Sequence, residues 1–451
     1  MKDRVDSLLS SFMEQVTARH AGESEYLQAV REVAQDVLTI EKASHAYTRA
    51  RVLERLSEAE RVISFSVIWE DDAGEVQINR GWRVQQSSLL GPCKGGLRWV
   101  PDLSPSVVKF LAFEQALKNA LTGLPLGAGK GGADFDPSGR SAAEIARFAT
   151  AFMTALARHI GPETDVPAGD IGVGEQELGL MTRVWMQHSG RWGGVLTGKP
   201  VALGGSALRA EATGYGLIYF TAAMVQAAGD TLEGKRVAVS GRGNVSRHAA
   251  RKAIVQGARV ITMSGRDGLW SAPDGFTHDA LDWLLAAEGD AAYSPPKALG
   301  LRFEEGASPW ASDCDIALPC ATQNEIGLDD ARALTYHGCR FLAEGANMPV
   351  TQDAAEHLSA AGVVQAPGKA ANAGGVAVSG LEMQQNAGFT RWNAGRVDEC
   401  LREIMCDIHD RLTSERQSCC TQRGGTDYRR AANVAGYRRL AEAMIAAGPT
   451  G

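Results

Sequence analysis

An apolar run that passes directly into a glycine-rich turn constrains the fold of this chain more than any other feature. Residues 235–240 read Lys-Arg-Val-Ala-Val-Ser, typical of a buried strand, and Gly-Arg-Gly-Asn-Val-Ser follows at 241–246 before a helical pattern. A strand, a glycine turn and a helix in this order form the phosphate-binding turn of dinucleotide-binding folds. Gly241 would make the tight turn, Gly243 would let a diphosphate approach, and the small Ser246 would permit close helix packing. The sequence therefore predicts a doubly wound parallel sheet in this region.

The end of the next predicted strand, 258–263, bears on which dinucleotide would bind. An NAD site usually places an acid there, where it accepts hydrogen bonds from the ribose hydroxyls, but position 265 is glycine. Arg242 and Arg266 could both reach a 2'-phosphate, which arginine binds through two parallel hydrogen bonds. Asp267 argues the other way, and solvated surface arginines are the alternative interpretation. We expect NADP, with NAD as the second candidate.

A second stretch, Leu124–Gly132, combines five glycines and prolines with a lysine, Lys130. This composition disfavours the interior of a helix or strand, so we expect a loop that displays the lysine. A lysine desolvated among glycines loses its proton near neutral pH and can act as a base. A solvated turn with a surface lysine is the alternative interpretation.

Other polar side chains with related chemistry lie nearby in the sequence. Lys94 is flanked by glycines, and a helix capped by Ser104 carries Gln115 and Lys118 three positions apart, on one face. Together with Lys130 these groups predict a pocket for a small molecule with several negative charges, and their mutual repulsion should lower the pKa of Lys130. Asp170 follows in another glycine-rich loop, where it could serve the pocket or act only as a turn residue.

Length and charge limit the classes of protein to which the chain can belong. With 451 residues it is too long for one core, so two domains are expected. The net charge is −7 and no long basic tract is present, which disfavours nucleic acid as a partner. No apolar run has the length that a membrane span requires.

The numbers and spacing of cysteines and histidines predict a reducing compartment and predict no metal site. The eight cysteines form no Cys-x-x-Cys pair, and only Cys419 and Cys420 are adjacent, so we interpret them as reduced cytoplasmic thiols. The nine histidines form no pattern of metal ligands.

The ends of the chain are predicted to be helical. Residues 1–60 form helices whose first apolar face comprises Val5, Leu8, Leu9, Phe12, Met13 and Val16. Short strands at 62–69 and 75–79 follow, joined by a hairpin turn at 71–74. A helix is expected at 142–160, and the tail at 396–447 is again helical.

Four motifs resemble the substrate-binding half of glutamate dehydrogenases, in particular the hexameric bacterial and fungal type. They are Lys-Gly-Gly-Leu-Arg at 94–98, Phe-Glu-Gln-Ala-Leu-Lys-Asn at 113–119, Gly-Lys-Gly-Gly at 129–132 and Pro-Ala-Gly-Asp-Ile-Gly at 167–172. The resemblance continues in order from about residue 60 to the C-terminus. It implies an α/β substrate-binding and oligomerisation domain at 1–203, on which a helix at 421–451 packs back. A Rossmann-type dinucleotide-binding domain at 204–420 would complete the chain, with a cleft between the two.

The resemblance also implies an activity: reversible oxidative deamination of L-glutamate to 2-oxoglutarate and ammonium with hydride transfer to NADP, by a cytoplasmic homohexamer. An NAD-dependent glutamate dehydrogenase is the main alternative. A dehydrogenase for an apolar amino acid and a catalytically silent nucleotide-binding homologue are further alternatives. Ala128 stands where glycine is usual in the family, and Cys93 where an aromatic residue is usual, with effects that the sequence leaves open.

Site residues follow from the same resemblance, position by position. Lys130 would activate water and Asp170 would carry the proton. Lys94 and Ser379 would bind the side-chain carboxylate of the substrate, and Gln115 and Lys118 its main-chain carboxylate. Gly169 and Val376 complete the expected substrate contacts. The expected coenzyme contacts are Arg209, Thr213, Gly241, Arg242, Gly243, Asn244, Val245, Ser264, Arg266 and Asn347.

Overall fold

Two units divide the chain in the computed structural model, which describes residues 2–287, 292–419 and 428–448. The first unit comprises Met1–Arg209, Val378–Val397 and Asn433–Gly451, and the second comprises Ala210–Ala377 and Asp398–Ala432. Compared with the division predicted from the sequence, residues 204–209 and 378–397 join the first unit, whereas residues 428–432, predicted to pack on the first domain, join the second unit.

The N-terminal segment is helical, as predicted. Its helices are α1 (Lys2–Arg19), α2 (Ser24–Ala43), α3 (His45–Ala50) and α4 (Val52–Leu56). Leu9, Phe12, Met13 and Val16 of the predicted apolar face are buried, Leu8 is half-buried, and the side chain of Val5 lies outside the described residues.

A five-stranded sheet forms the centre of the first unit. In chain order its elements are β1 (Arg61–Glu70), β2 (Val76–Ser87), β3 (Cys93–Trp99), α5 (Pro105–Leu121), β4 (Ala128–Ala133), α6 (Ala142–Leu156), β5 (Asp165–Gly169) and α7 (Glu175–Ser189). The strand order is β1-β2-β4-β3-β5, in which β3 runs parallel to both β4 and β5. The predicted hairpin is confirmed, since β1 and β2 pair antiparallel across Asp71–Gly74.

Two apolar layers hold this sheet in place. Trp99 and Leu97 of β3 pack with Phe148 and Phe152 of α6, which are all fully buried. Trp82 and Val84 of β2 form a separate cluster with Val108 and Ala112 of α5. The predicted cap of α5 is confirmed, because the Ser104 hydroxyl accepts a hydrogen bond from the backbone N–H of Val107. Burial of these large side chains on both layers fixes the middle strands.

The prediction of a loop at Leu124–Gly132 is wrong for its second half. Residues 128–133 form β4, which lies between β2 and β3 in the sheet, and Lys130 is only 7% exposed. The glycines permit close approach of neighbouring strands, since a Cβ at Gly131 would lie 2.6 Å from the Trp82 carbonyl oxygen. Lys94 likewise lies on a strand, β3, and not on a glycine loop.

The second unit is built on a seven-stranded sheet. Its elements are α8 (Ala212–Ala227), β6 (Arg236–Val239), α9 (Asn244–Val255), β7 (Arg259–Ser264), β8 (Gly268–Ser271), α10 (His278–Ala286), β9 (Arg302–Glu305), β10 (Ile316–Leu318), α11 (Leu328–Tyr336), β11 (Phe341–Ala343), α12 (Gln352–Ala360), β12 (Val364–Ala366) and α13 (Gly368–Ala371). The order is β12-β11-β10-β6-β7-β8-β9, in which the strands from β12 to β7 are parallel.

The strand order gives the second unit a topological switch point. From β6 the chain continues to β7 on one side, whereas β10 pairs with β6 on the other side. Open parallel sheets bind ligands outside the carboxyl ends of the strands at such a point. The predicted strand, glycine turn and helix at 235–255 is confirmed, and its turn lies at this point.

Three helices complete the chain: α14 (Gly374–Ala387), α15 (Ala394–Cys419) and α16 (Tyr428–Ala447). The later part of α16 packs within the first unit, where Asn433 donates to Asp36 and the Tyr437 hydroxyl donates to Glu41. Cys420, residues 421–427 and the side chain of Cys419 lie outside the described residues.

Candidate active site

The ammonium group of Lys130, on β4, lies beside a carboxylate at the end of another strand of the same sheet, β5. Its Nζ is 2.9 Å from Oδ2 of Asp170, the residue directly after β5. Gly96 on β3 makes this pair sterically feasible, since a Cβ there would lie 2.8 Å from the Asp170 Cβ and 3.3 Å from Nζ of Lys130. The structure thus brings together the two residues predicted to be catalytic.

Arg98 is a second cation that contacts the same carboxylate oxygen of Asp170. The parallel register pairs Leu97 with Gly169, so that Arg98 and Asp170 are adjacent, and Nε of Arg98 donates to Oδ2 of Asp170 over 2.8 Å. Burial would raise the pKa of Asp170, but the charges of Lys130 and Arg98 outweigh burial and lower this pKa to about 2. Asp170 is therefore an anion at neutral pH. Arg98 belongs to a quoted sequence motif, yet no role was predicted for it.

Burial is the main reason why the pKa of Lys130 lies below its usual value. Asp170 opposes this shift, whereas the charges of Arg98 and Arg83 add to it. The direction and the predicted contribution of desolvation agree with the sequence prediction, but the repelling charges are those of Arg98 and Arg83 and not those of the other lysines. A lowered pKa increases the fraction of neutral amine at a given pH.

Lys94 is a second buried lysine, with 1% of its surface exposed. Within the described residues it forms no ion pair. Burial lowers the pKa of Lys94 well below its usual range, and the charges of Arg209 and Arg83 lower it further, against the opposing effect of Glu382 and Asp165. An unpaired ammonium group in such a place is costly unless an anion binds to it.

A buried ion pair supports the strands from which these lysines project. The Arg83 guanidinium on β2 donates to both carboxylate oxygens of Asp165, and both residues are fully buried. Arg83 also donates to the Gly95 carbonyl oxygen over 3.1 Å, and Gln85 donates to Asp165 over 3.0 Å. None of these residues was predicted as part of the site, because neither β2 nor β5 contains a local sequence signal that identifies the pair.

Ser379, a predicted substrate contact, lies beside a predicted coenzyme contact. Nε of Arg209 donates to the Ser379 hydroxyl over 3.1 Å, and both belong to the first unit. Glu382, on the same helix as Ser379, forms a fully buried ion pair with Lys199 at 2.7 Å. Burial lowers the pKa of Arg209, and Glu382 opposes that shift. Arg209 forms no ion pair within the described part of the chain.

The polar face predicted for α5 is linked to β3 by hydrogen bonds. The Gln115 amide donates to Asn119 over 2.6 Å, and Asn119 donates to the Lys94 carbonyl oxygen over 3.0 Å. Lys118 is half-buried on the same helix, one turn after Gln115. Asn119 lies within a quoted motif, but its positioning of α5 against β3 was not predicted.

The glycine turn of the second unit has the geometry of a phosphate site. Gly241 has a φ of +78°, and its N–H donates to the Ser264 hydroxyl over 2.9 Å. A Cβ at Gly243 would meet no atom within 4 Å, so ligand atoms can approach the backbone there. The N-terminal end of α9 follows directly, and helix N-termini attract anions. These residues fit the diphosphate of a dinucleotide.

The two arginines predicted to favour a 2'-phosphate differ in environment. The Arg242 guanidinium lies over the Trp270 ring, 5.1 Å from its centroid, and its Nη1 is buried without a hydrogen-bond partner. Arg266 is exposed, as is Asp267, whose carboxylate accepts a hydrogen bond from the Tyr293 hydroxyl. Arg242 therefore fits an additional phosphate, which would supply the missing acceptor.

The remaining residues predicted to contact the coenzyme or the substrate lie on several different elements. Thr213 and Val245 are half-buried, near the starts of α8 and α9. The Asn244 amide donates to the Ala210 carbonyl oxygen over 2.6 Å, and Asn347 accepts from Asn372 over 3.1 Å. A Cβ at Gly169 would lie 2.5 Å from the Val173 carbonyl oxygen, and Val376 is half-buried on α14.

The residues that the structure describes contain neither a metal-binding cluster nor a membrane-spanning helix. None of their His, Cys, Asp and Glu side chains form a group of three or more that could bind a metal. None of their helices is both long and apolar enough to cross a bilayer.

Two family models match the chain. One is described as glutamate/leucine/phenylalanine/valine dehydrogenase and matches residues 204–448. The other is described as the Glu/Leu/Phe/Val dehydrogenase dimerisation domain and matches residues 59–187.

Individual proteins match over nearly the full length. The NADP-specific glutamate dehydrogenase of Escherichia coli K12 is 49% identical over 447 residues, which cover 98% of each chain. The NAD-specific glutamate dehydrogenase of Bacteroides fragilis is 45% identical, over 98% of this chain and 99% of that one. Among solved structures, glutamate dehydrogenase 2 of Plasmodium falciparum matches with a TM-score of 0.93 and 43% identity, covering 98% of this chain and 97% of that one.

Proposed function

The chain belongs to the glutamate/leucine/phenylalanine/valine dehydrogenase family, and within that family we propose that it is an NADP-dependent glutamate dehydrogenase. It would convert L-glutamate, NADP and water to 2-oxoglutarate, ammonium, NADPH and a proton, and catalyse the reverse reaction. A relative with this specificity is 49% identical over almost the whole chain.

The observation that carries the choice of glutamate is the buried, unpaired Lys94. Within the described residues, the buried Lys94 and the half-buried Arg209 form no ion pair, so this part of the first unit has cations in surplus. Glutamate and 2-oxoglutarate each have two carboxylates that can neutralise such cations. An apolar substrate such as leucine would leave Lys94 beside a hydrocarbon chain, which is energetically unfavourable. The pocket therefore favours a dicarboxylic acid.

Each substrate contact has a distinct role in this proposal. Lys94 and Ser379 bind the side-chain carboxylate. Arg209, predicted from the sequence as a coenzyme contact, donates to Ser379, and we propose that it assists them instead. Gln115 and Lys118 on α5 bind the main-chain carboxylate. Gly169 and Val376 provide the remaining contacts with the substrate. Cations in fixed positions orient the substrate so that its α carbon faces the coenzyme in a single orientation.

Lys130 is the general base. As a neutral amine it takes a proton from the water molecule that attacks the imine carbon formed by oxidation of glutamate. Burial and the neighbouring charge of Arg98 lower the pKa of Lys130, which increases the neutral fraction of this amine. Gly96 leaves the space in which Lys130 and Asp170 meet.

Whether Asp170 can hold a proton depends on the charge of Lys130. While Lys130 is protonated, the charges of Lys130 and Arg98 hold the pKa of Asp170 at about 2, despite burial, so this carboxylate stabilises the ammonium form. When Lys130 becomes neutral, one of the two cations that lower the pKa of Asp170 is lost. Asp170 can then carry a proton to the departing ammonia.

The second unit supplies the coenzyme contacts in this proposal. Gly241, Gly243, Asn244 and Val245 bind the diphosphate, and Thr213 and Asn347 bind the nicotinamide half. NADP, when bound, accepts the hydride from the α carbon of glutamate. Ser264, Arg242 and Arg266 bind the 2'-phosphate.

NADP is preferred over NAD because of Arg242. Relatives with similar identity are named for either coenzyme, so overall identity does not discriminate between them. The buried Nη1 of Arg242 without an acceptor fits an additional phosphate. Asp267 is the feature that favours NAD, as the alternative candidate.

Assembly and location complete the proposal. The β1–β2 hairpin exposes Ile68, Val76 and Ile78 by 61%, 66% and 72%, and burial of such a surface favours association between copies. This surface supports association between copies, and the resemblance to hexameric glutamate dehydrogenases implies six of them. We therefore propose a homohexamer on the basis of that resemblance, to be tested by light scattering for six times the 47.9 kDa chain mass. The cysteines at 93, 314, 320, 339, 400 and 406 are free, as a reducing cytoplasm would leave them.

An isotope experiment tests the proposed reaction. Purified protein is incubated with 2-oxoglutarate, isotopically labelled ammonium and NADPH, and labelled glutamate is measured by mass spectrometry. A parallel incubation contains 4-methyl-2-oxopentanoate, the keto acid of leucine, in place of 2-oxoglutarate. Labelled glutamate without labelled leucine is the expected result, and labelled leucine as the main product would contradict the proposal.

A further inference from the structure

The ring of Trp270, on β8, lies against the guanidinium group of Arg242. The Arg242 Cζ is 5.1 Å from the ring centroid, a distance at which a cation and an aromatic face attract each other. Trp270 itself is fully buried, and its Nε1 donates to the Ala292 carbonyl oxygen over 2.7 Å. Arg242 thus rests on a fixed ring.

The same ring fills the space beside Gly265, the position at which an NAD site usually has an acid. A Cβ at Gly265 would lie 3.0 Å from Cζ3 and 3.3 Å from Cη2 of Trp270. A side chain at this position would require the ring or the strand end to move by a few tenths of an ångström. Trp270 therefore crowds the position of the usual acid while it supports a cation.

The neighbouring acid, Asp267, accepts a hydrogen bond from Tyr293, whose ring stacks on Trp270. The Tyr293 hydroxyl donates to Oδ2 of Asp267 over 2.8 Å, and the Tyr293 and Trp270 rings stack at an interplanar angle of 15°. This hydrogen bond uses one carboxylate oxygen that could otherwise accept from a ribose hydroxyl.

We propose that Trp270 is a positioning residue for coenzyme selectivity, which holds Arg242 in place to bind the 2'-phosphate of NADP. The buried, unpartnered Nη1 of Arg242 is the donor that this phosphate satisfies. The inference rests on the proposed function in one respect, the use of a pyridine dinucleotide. It assigns to Trp270 no contact with the coenzyme.

Adenosine fragments of the coenzyme allow a test that is independent of turnover. Isothermal titration calorimetry of the full-length protein compares adenosine 2',5'-bisphosphate with adenosine 5'-monophosphate. Wild type should bind the bisphosphate more tightly. Trp270→Leu should weaken bisphosphate binding by about fivefold and change monophosphate binding by less than about twofold, because only the support of Arg242 is lost. Trp270→Phe, which keeps an aromatic face, should restore most of the selectivity.

A double-mutant cycle separates this role from a purely structural one. Arg242→Ala should weaken bisphosphate binding by roughly tenfold, and adding Trp270→Leu to Arg242→Ala should have no further effect. Equal losses for both fragments, or additive effects of the two substitutions, would overturn the inference. If Trp270→Leu does not fold, Arg242→Ala still tests the proposal. Retained selectivity for the bisphosphate over the monophosphate in that variant would contradict it.

Failure of this inference is distinguishable from failure of the proposed function. A wild-type protein that oxidises glutamate but binds both fragments equally overturns the role of Trp270 alone. A protein that fails to oxidise glutamate, yet shows the predicted pattern of fragment binding, overturns the proposed reaction and supports the role of Trp270.

Discussion

Lys130 and Asp170 form an ion pair in which Nζ and Oδ2 are 2.9 Å apart. The amine comes from a glycine-rich strand, and the carboxylate comes from the residue after β5. Both groups are largely shielded from water, with side chains 9% and 21% exposed. Burial lowers the pKa of this lysine, whereas the carboxylate partner stabilises its protonated form, and a lysine whose pKa is lowered in this way is suited to base catalysis.

Removal of the amine should abolish turnover without affecting the coenzyme site. Lys130→Ala is expected to lower kcat by roughly a thousandfold, because water attack on the imine loses its base. Steady-state kinetics measures this effect, and exogenous methylamine should restore part of the activity. Binding of adenosine 2',5'-bisphosphate serves as the control and should stay at the wild-type value. Substantial residual turnover without added amine would remove Lys130 from the proposed role.

Arg98 should tune the pH dependence of catalysis. Its charge lowers the pKa of Lys130, so Arg98→Met should raise that pKa. The base must be neutral to act, so log kcat/KM rises with pH through the pKa of Lys130, and this rise should move to higher pH in Arg98→Met. Arg98→Lys retains a positive charge and is the matched control, for which a smaller displacement is expected. Identical pH profiles for wild type and Arg98→Met would contradict this account.

The pocket around Lys94 should determine selectivity for the dicarboxylic acid. Lys94→Leu combined with Ser379→Val is expected to lower kcat/KM for glutamate by roughly two orders of magnitude or more, because a buried charge partner of the substrate is lost. The surface substitution Lys297→Leu is the matched control and should have no effect. Unchanged glutamate kinetics in the double variant would show that Lys94 and Ser379 do not bind the substrate.

Gly96 should be intolerant of a side chain. In Gly96→Ala the new Cβ would lie 2.8 Å from the Asp170 Cβ, so the ion pair with Lys130 must shift, and kcat should fall by about tenfold or more. Gly327→Ala is the matched control, since its Cβ would lie 3.9 Å from the nearest atom. Wild-type kcat in Gly96→Ala would mean that the observed spacing of this pair is not needed for turnover.

The sequence allowed prediction of the elements that have strong local signals. The strand, glycine turn and helix at 235–255 depend on local chain geometry, and the hairpin at 71–74 depends on a turn between alternating runs. By contrast, Lys130 was expected in a loop, because glycine usually weakens a strand. Here the glycines of β4 allow neighbouring backbones to approach, as the 2.6 Å distance between a Cβ at Gly131 and the Trp82 carbonyl oxygen demonstrates.

The partners of the site residues could not be predicted, because they depend on register between strands distant in sequence. Arg98 meets Asp170 only because β3 and β5 pair Leu97 with Gly169. Arg83 and Asp165 likewise come from separate strands, and nothing in either local sequence identifies the other. The support of Arg242 by Trp270 arises in the same way, since Trp270 reaches the turn through the antiparallel pairing of β7 and β8.

The most direct test of the central claim is the initial rate of coenzyme reduction by the purified protein, followed by ultraviolet absorbance. Glutamate and leucine are each supplied with NADP and with NAD, at equal concentrations. The account predicts rapid reduction with glutamate and NADP, a much slower rate with glutamate and NAD, and none with leucine. Oxidation of leucine at a rate comparable to that of glutamate, or no oxidation of glutamate with either coenzyme, would contradict it.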